Sequence, residues 1–174
     1  MLRPTWTDYF ISLAILSSSR SHDSTKVGCV FVKDTMVLVT GYNGYAPDLD
    51  DEILPKTRPD KYSWLNHAEK SCLLACVKQG KSTINSKAYI FGCPCFACFY
   101  DMYSSGIKEI NYIINPYIKM QLLTESKEWL AHSNQFENKI RLIKHNIEDL
   151  PLSQNIFLSL EKSFFQVYNT IAET

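Results

Sequence analysis

"AYIFGCPCFACFYDMYSSGIKEINYII", residues 88–114, carries the reading that decides the fold. AYIF and EINYII are short apolar runs of strand length, and the stretch between them, from Cys95 onward, has the length and pattern of a helix. Two strands separated by a helix imply a parallel pair joined by a crossover. Outward from this unit the alternation continues. Upstream, a helical pattern runs from His67 to about Lys78; downstream come a helix around Leu122 to Ala131, a strand IRLIK and a final helix from Ser153. Nearer the N-terminus, VGCVFV and MVLVTG are separated only by Lys33, Asp34 and Thr35, which predicts an antiparallel hairpin and makes the sheet mixed. Before it, Trp6, Tyr9, Phe10, Leu13 and Leu16 recur at helical spacing, with Pro4 and Thr5 at the start. The expectation is an α/β chain forming one domain over residues 1–174, a three-layer α/β/α sandwich around a mixed five-stranded sheet. The C-terminal helix, about 153–172, bears Ile156, Leu160, Phe164, Val167 and Ile171 as a stripe for packing on that domain or at a subunit interface.

Composition narrows the function classes. At 45% hydrophobic and 21% charged residues the chain is globular rather than disordered. Lys plus Arg and Asp plus Glu each number 18, so the basic excess typical of nucleic-acid-tracking proteins is missing. No apolar run approaches the roughly 20 residues of a membrane span, and MLRPTWTDYF lacks the features of a secretory signal, so a cytoplasmic location is expected. In that setting the six cysteines are core thiols or metal ligands rather than disulfide partners. Gly44 to Trp64, with Pro47, Pro55 and Pro59, is a connection long enough to suggest a functional loop.

The cysteine spacing separates ligands from core. Cys95 and Cys98 are three apart at a helix start, on one face, where the helix N-terminus favours thiolates. Pro94 suits a first helical turn because it has no N–H to leave unsatisfied. Alone, Pro-Cys-x-x-Cys also fits a redox pair or two buried thiols, and a lone His at a helix start is ordinarily a surface or capping residue. Here, however, His67 and Glu69 open the preceding helix, and helices that follow parallel strands begin at one sheet edge. His67, Cys95 and Cys98 then complete the three-ligand set of a catalytic zinc site, which leaves the fourth position to water. Glu69, two residues from a ligand, can take that water's proton and hand it on. His-x-Glu followed by Pro-Cys-x-x-Cys is the general signature of zinc deaminases acting on nucleobases.

Further stretches, RPTWTDYF, RSHDSTKVG, GYNG, DDEILPKTR, KYSWLNHAE and PCFAC followed by SGIKEI, occur in one order over roughly residues 3–117. With them the chain resembles the deoxycytidylate (dCMP) deaminase family of the cytidine deaminase-like superfamily. The resemblance implies zinc-dependent hydrolysis of dCMP to dUMP and ammonia, supplying dUMP for thymidylate synthesis. It implies one Zn2+ per chain, held by His67, Cys95 and Cys98, with Glu69 as the catalytic proton shuttle. Asn43 matches the family asparagine that holds the nucleoside; Arg20, Lys26, Ala68, Pro94 and Tyr117 match positions near the substrate nucleotide. A homo-oligomer, hexameric in many relatives, and dCTP and dTTP as allosteric effectors with Mg2+ are also implied. Nucleic acid and membrane are not expected partners.

The chain departs from this pattern at Phe91-Gly92-Cys93, at Lys56 and at Ser71. Cys93 is an extra thiol beside the motif, but along an extended entry it need not share the helix face of Cys95 and Cys98. Cys29, Cys72 and Cys76 read as core residues, and His132 and His145 as surface residues. Other readings stay open: the same chemistry on dCTP, on modified cytosine nucleotides or on single-stranded nucleic acid, or a non-catalytic zinc-fold regulatory subunit.

Overall fold

Thr5 starts the first helix: its Oγ1 accepts the Asp8 N–H at 3.1 Å, and α1 runs Trp6–Ser18. β1 (Gly28–Lys33) and β2 (Met36–Tyr42) join through Asp34 and Thr35, both at positive φ, as a two-residue hairpin turn requires. The rest alternates: α2 (Ala68–Lys78), β3 (Lys87–Phe91), α3 (Phe96–Ser104), β4 (Glu109–Ile113), α4 (Lys127–His132), β5 (Arg141–His145) and α5 (Pro151–Ala172). The computed structural model describes residues 3–57, 59–116 and 122–172, with the side chains of α5 described through residue 161.

The five strands lie in the order β2-β1-β3-β4-β5. β1 is antiparallel to both neighbours and β3, β4 and β5 are parallel. Every strand except β1 therefore runs the same way, and Gly28, where β1 begins, stands opposite Tyr42 and Phe91, near the ends of β2 and β3. Alternate residues feed two cores. Cys29, Phe31, Ala88, Ile90 and Ile110 pack with Cys72 and Cys76 of α2 and Phe99 and Met102 of α3. On the other face Val30, Val32, Tyr89 and Phe91 meet Phe10, Ile11 and Ile15 of α1 and Phe157 of α5. This is the expected α/β/α sandwich around a mixed sheet. Phe164, Val167 and Ile171, the far part of the C-terminal stripe, lie outside the described side chains.

Four local readings are corrected. The helix expected over 122–131 is divided into a short turn, Leu123–Glu125, and α4, because Ser126 adopts extended backbone and its side chain caps Trp129 N at 3.2 Å. The last helix begins at Pro151 instead of Ser153; buried Asp8 of α1 reaches over to accept from Leu152 N (3.0 Å) and Ser153 N (2.8 Å), a cap that no local pattern reveals. Pro94 precedes the N-cap of α3 rather than sitting inside its first turn. His145 is half-buried, its Nε2 at 2.9 Å from Asn111 Oδ1 across the sheet, whereas His132 is exposed as expected.

Candidate active site

The long connection after β2 ends where it starts. Gly44 and Asn66 exchange two backbone hydrogen bonds, 3.0 and 2.8 Å, so the excursion between them is closed before His67 is reached. Gly41 then lets α2 come down onto β2: a Cβ there would stand 2.8 Å from both Ala68 O and Cys72 Sγ. His67 is the N-cap of α2 but makes no side-chain capping bond, which leaves its imidazole available. Ala68 is buried, and Glu69, at the second helical position, is only 3% exposed.

The second half of the site leaves β3 through Gly92, whose φ of 129° suits glycine. Gly92 N bonds Ile113 O, holding the turn against the end of β4. Cys95 is the N-cap of α3 and its Sγ accepts the Cys98 N–H at 3.5 Å. His67 Nδ1 lies 3.6 Å from Cys95 Sγ and 3.4 Å from Cys98 Sγ, and all three ligand atoms fall within 4.8 Å of one another. Zinc bonds of ordinary length at a tetrahedral angle would set N–S separations of roughly 3.6 Å. The donor set and its spacing therefore fit Zn2+ with a fourth position open. Among the described residues this is the only such group of His, Cys or acidic ligands.

The electrostatics agree with that use. The hydrogen bond from Cys98, aided by His67, pulls the Cys95 thiol down to about 4 against the opposing effect of burial. The same hydrogen bond and burial hold the Cys98 proton in place, so the pair keeps a single proton that a dication would displace. The hydrogen bond to Cys95 raises His67 against its burial. Burial pushes the Glu69 carboxyl up to about 7, with its own backbone N–H and the His67 charge pulling the other way. Cys93 is buried with its Sγ accepting Leu123 N at 3.3 Å, so this thiol anchors the segment after β4 and is not one of the grouped ligands. Cys29, Cys72 and Cys76 are buried free thiols in the core.

Residues expected to contact the substrate are distributed unevenly. Asn43 (4% exposed) follows β2 and faces the segment entering β1: its Nδ2 donates to Thr25 O and its Oδ1 accepts Val27 N at 2.8 Å. One amide hydrogen and one lone pair remain for a ligand. Lys26 is half-buried with Nζ donating to Ser21 O, and Arg20 is exposed just beyond α1. Pro94 is buried beside Cys95; Tyr117 lies outside the described residues. Two contacts are not readable from the sequence. Asn115, at 3% exposure, donates to Lys26 O at 2.8 Å and ties the exit of β4 to the same segment. Asp23 and Lys61 form a buried ion pair between two loops.

A mixed sheet that sets His-x-Glu and Pro-Cys-x-x-Cys at neighbouring helix starts defines the zinc deaminase class. Among solved structures, the dCMP deaminase of cyanophage S-TIM5 superposes with a TM-score of 0.63 at 21% identity, over 83% of this chain and 100% of the phage chain. Residues 4–114 match the family described as "Cytidine and deoxycytidylate deaminase zinc-binding region", and the chain belongs to that family. The deoxycytidylate deaminase of Mycobacterium phage D29 is 32% identical over 130 residues, covering 64% of this chain and 97% of the phage protein. That of Saccharomyces cerevisiae is 33% identical over 123 residues, covering 64% of this chain but only 38% of the yeast protein.

Proposed function

We propose that the chain is a zinc-dependent hydrolase converting dCMP to dUMP and ammonia. The observation that carries this reading is the buried carboxylate of Glu69 beside the His67, Cys95 and Cys98 donors. His67 Nδ1 and the two sulfurs would hold the zinc, which when bound brings the pKa of a coordinated water near 7 and so supplies a nucleophile at neutral pH. Glu69 takes the proton of the attacking water, delivers one to N3 of cytosine as C4 becomes tetrahedral, and protonates the amine that leaves as ammonia. The raised carboxyl suits both halves of that exchange, because a group titrating near the working pH can accept and donate.

Substrate placement falls to the remaining residues. Ala68 and Pro94 wall the base beside the ligands, Asn43 spends its spare donor and acceptor on the nucleoside, and Arg20, Lys26 and Tyr117 serve the nucleotide and its phosphate. Family membership supports a homo-oligomer, possession of dCTP and dTTP control with Mg2+, and a role in supplying dUMP for thymidylate synthesis. A cavity of about 380 Å3 is lined by His22, Tyr45 and Lys56 together with the carboxylates Asp23, Asp48, Asp51 and Glu52, so a triphosphate effector would enter it only with the Mg2+ that this reading includes. Among the described residues no helix is long and apolar enough to cross a membrane, and the reading places the protein in the cytoplasm.

The test is substrate choice. Ammonia release by the zinc-loaded protein is compared on dCMP, dCTP, deoxycytidine and a single-stranded oligonucleotide, each with and without added dCTP. The reading expects dCMP to exceed deoxycytidine by at least about tenfold in kcat/KM, since the phosphate contacts are lost in the nucleoside. Faster turnover of dCTP or of the oligonucleotide would overturn it.

A further inference from the structure

We propose that Asp23 and Lys61 are positioning residues: their buried ion pair fixes the nucleotide-binding segment 20–27 against the approach to the His67 helix. The inference rests on the dCMP reading above. Lys61 Nζ stands 2.6 Å from Asp23 Oδ2, and the two side chains are 8% and 4% exposed. Neither residue belongs to the sheet or a long helix. Asp23 lies between α1 and β1, and Lys61 in the short helical turn Asp60–Ser63 of the long connection. Burying two charges between two loops gains little stability, because desolvation offsets most of the attraction. What it does secure is register.

Each partner is wired onward. Asp23 Oδ1 accepts Thr25 N at 2.7 Å, and Asp23 N donates to Ser21 Oγ at 3.2 Å. Ser21 Oγ in turn donates to Asn43 O at 2.7 Å, and Thr25 O receives the Asn43 amide. On the other side Lys61 O accepts Trp64 N and Leu65 N at 3.1 and 2.9 Å, one residue before the Gly44–Asn66 bridge that delivers His67. The ion pair thus links the segment bearing Arg20 and Lys26 to the strand of chain that sets the ligand helix.

Charge adds a second consequence. Lys61 cancels the Asp23 carboxylate, so the segment faces a dianionic phosphate as a positive surface. Burial lowers Lys26, and the nearby Asp23 charge opposes that, helping to keep the ammonium ionised. Removing Lys61 would leave an unpaired carboxylate next to the phosphate and loosen the segment; removing the Asp23 charge would loosen it alone.

Steady-state kinetics on dCMP, with zinc content and thermal midpoint for each protein, test this in K61M, D23N and K61R. We expect KM for dCMP to rise about tenfold in K61M and by a smaller factor, about fivefold, in D23N, while kcat stays within about threefold, with zinc binding unchanged, and K61R to recover most of the loss. A merely structural pair behaves differently: the folded fraction and apparent kcat fall together and KM stays put. That outcome overturns the proposal. Should K61M fail to fold, the isosteric D23N carries the test alone, and an unchanged KM there overturns it. A wild type inactive on dCMP sinks the deaminase reading separately. Calorimetric binding of dUMP then decides the pair, weakened binding in D23N supporting it and equal binding, or none in the wild type, overturning it.

Discussion

Cys98 shows how far a single residue can be read. Its spacing from Cys95 and the Pro-Cys-x-x-Cys context place it in a three-donor group with His67, and the structure has those atoms within 4.8 Å. Cys98→Ser removes a thiolate from the set, and we expect zinc content after dialysis against a mild chelator to fall from one per chain toward zero; retention of a full equivalent would remove Cys98 from the ligands. Glu69 was equally legible, because His-x-Glu paired with Pro-Cys-x-x-Cys supplies a carboxylate two residues from a ligand where a metal-bound water needs a proton acceptor. Asp23, Lys61 and Asn115 were not. Each acts through a partner far away in sequence, Lys61 with Asp23, Asn115 with Lys26, and no local period encodes such pairs. The spacing argument also separated Cys93 from the ligands, though not its bond to Leu123 N, which is a product of tertiary packing.

At the scale of elements, strand and helix types followed from apolar period, and the boundaries that moved did so where a distant or local polar group intervened. Ser126 cut one helix by capping its second part, and Asp8 of α1 extended another by capping α5 from outside. The site depends on one close approach that sequence shows only as a glycine. At Gly41 a Cβ would meet Ala68 O and Cys72 Sγ at 2.8 Å, and neither the backbone of α2 nor the buried thiol can yield cheaply. Gly41→Ala is therefore expected to cost about 1–3 kcal/mol of stability, as overpacked sites do, and to lower kcat/KM by displacing His67 and Glu69 from the Cys95 helix. Denaturant unfolding beside kinetics checks both; a variant with unchanged stability and rate would contradict the packing argument.

Over the whole molecule, the sheet edge where β2, β3 and β4 end gathers the ligand helices and the 20–27 segment, while the opposite end carries an acid-sensitive network. There Glu109, 6% exposed, pairs with Arg141 and Lys87 and accepts from Asn111. Burial pushes its carboxyl up, but these hydrogen bonds and charges outweigh that and hold it below its ordinary value of 4.5. A depressed carboxyl contributes stability above its unfolded value and loses it as pH falls through the folded one. Glu109→Gln should thus show a shallower loss of stability than the wild type below about pH 4.5, measured by denaturant midpoints across the acid range; parallel curves would contradict the assignment. The mixed sheet and its two helix layers were legible from the β-α-β unit at 88–114 and the hairpin before it, since both periods and connection lengths agreed.

The most direct measurement is conversion of dCMP to dUMP by the zinc-loaded wild type beside Glu69→Ala, with zinc content determined for both. The account predicts turnover with one ammonia released per dUMP, and a loss of about 10²–10⁴-fold or more in the variant at equal zinc content. Equal turnover in the variant, or none in a wild type carrying one zinc per chain, would contradict it.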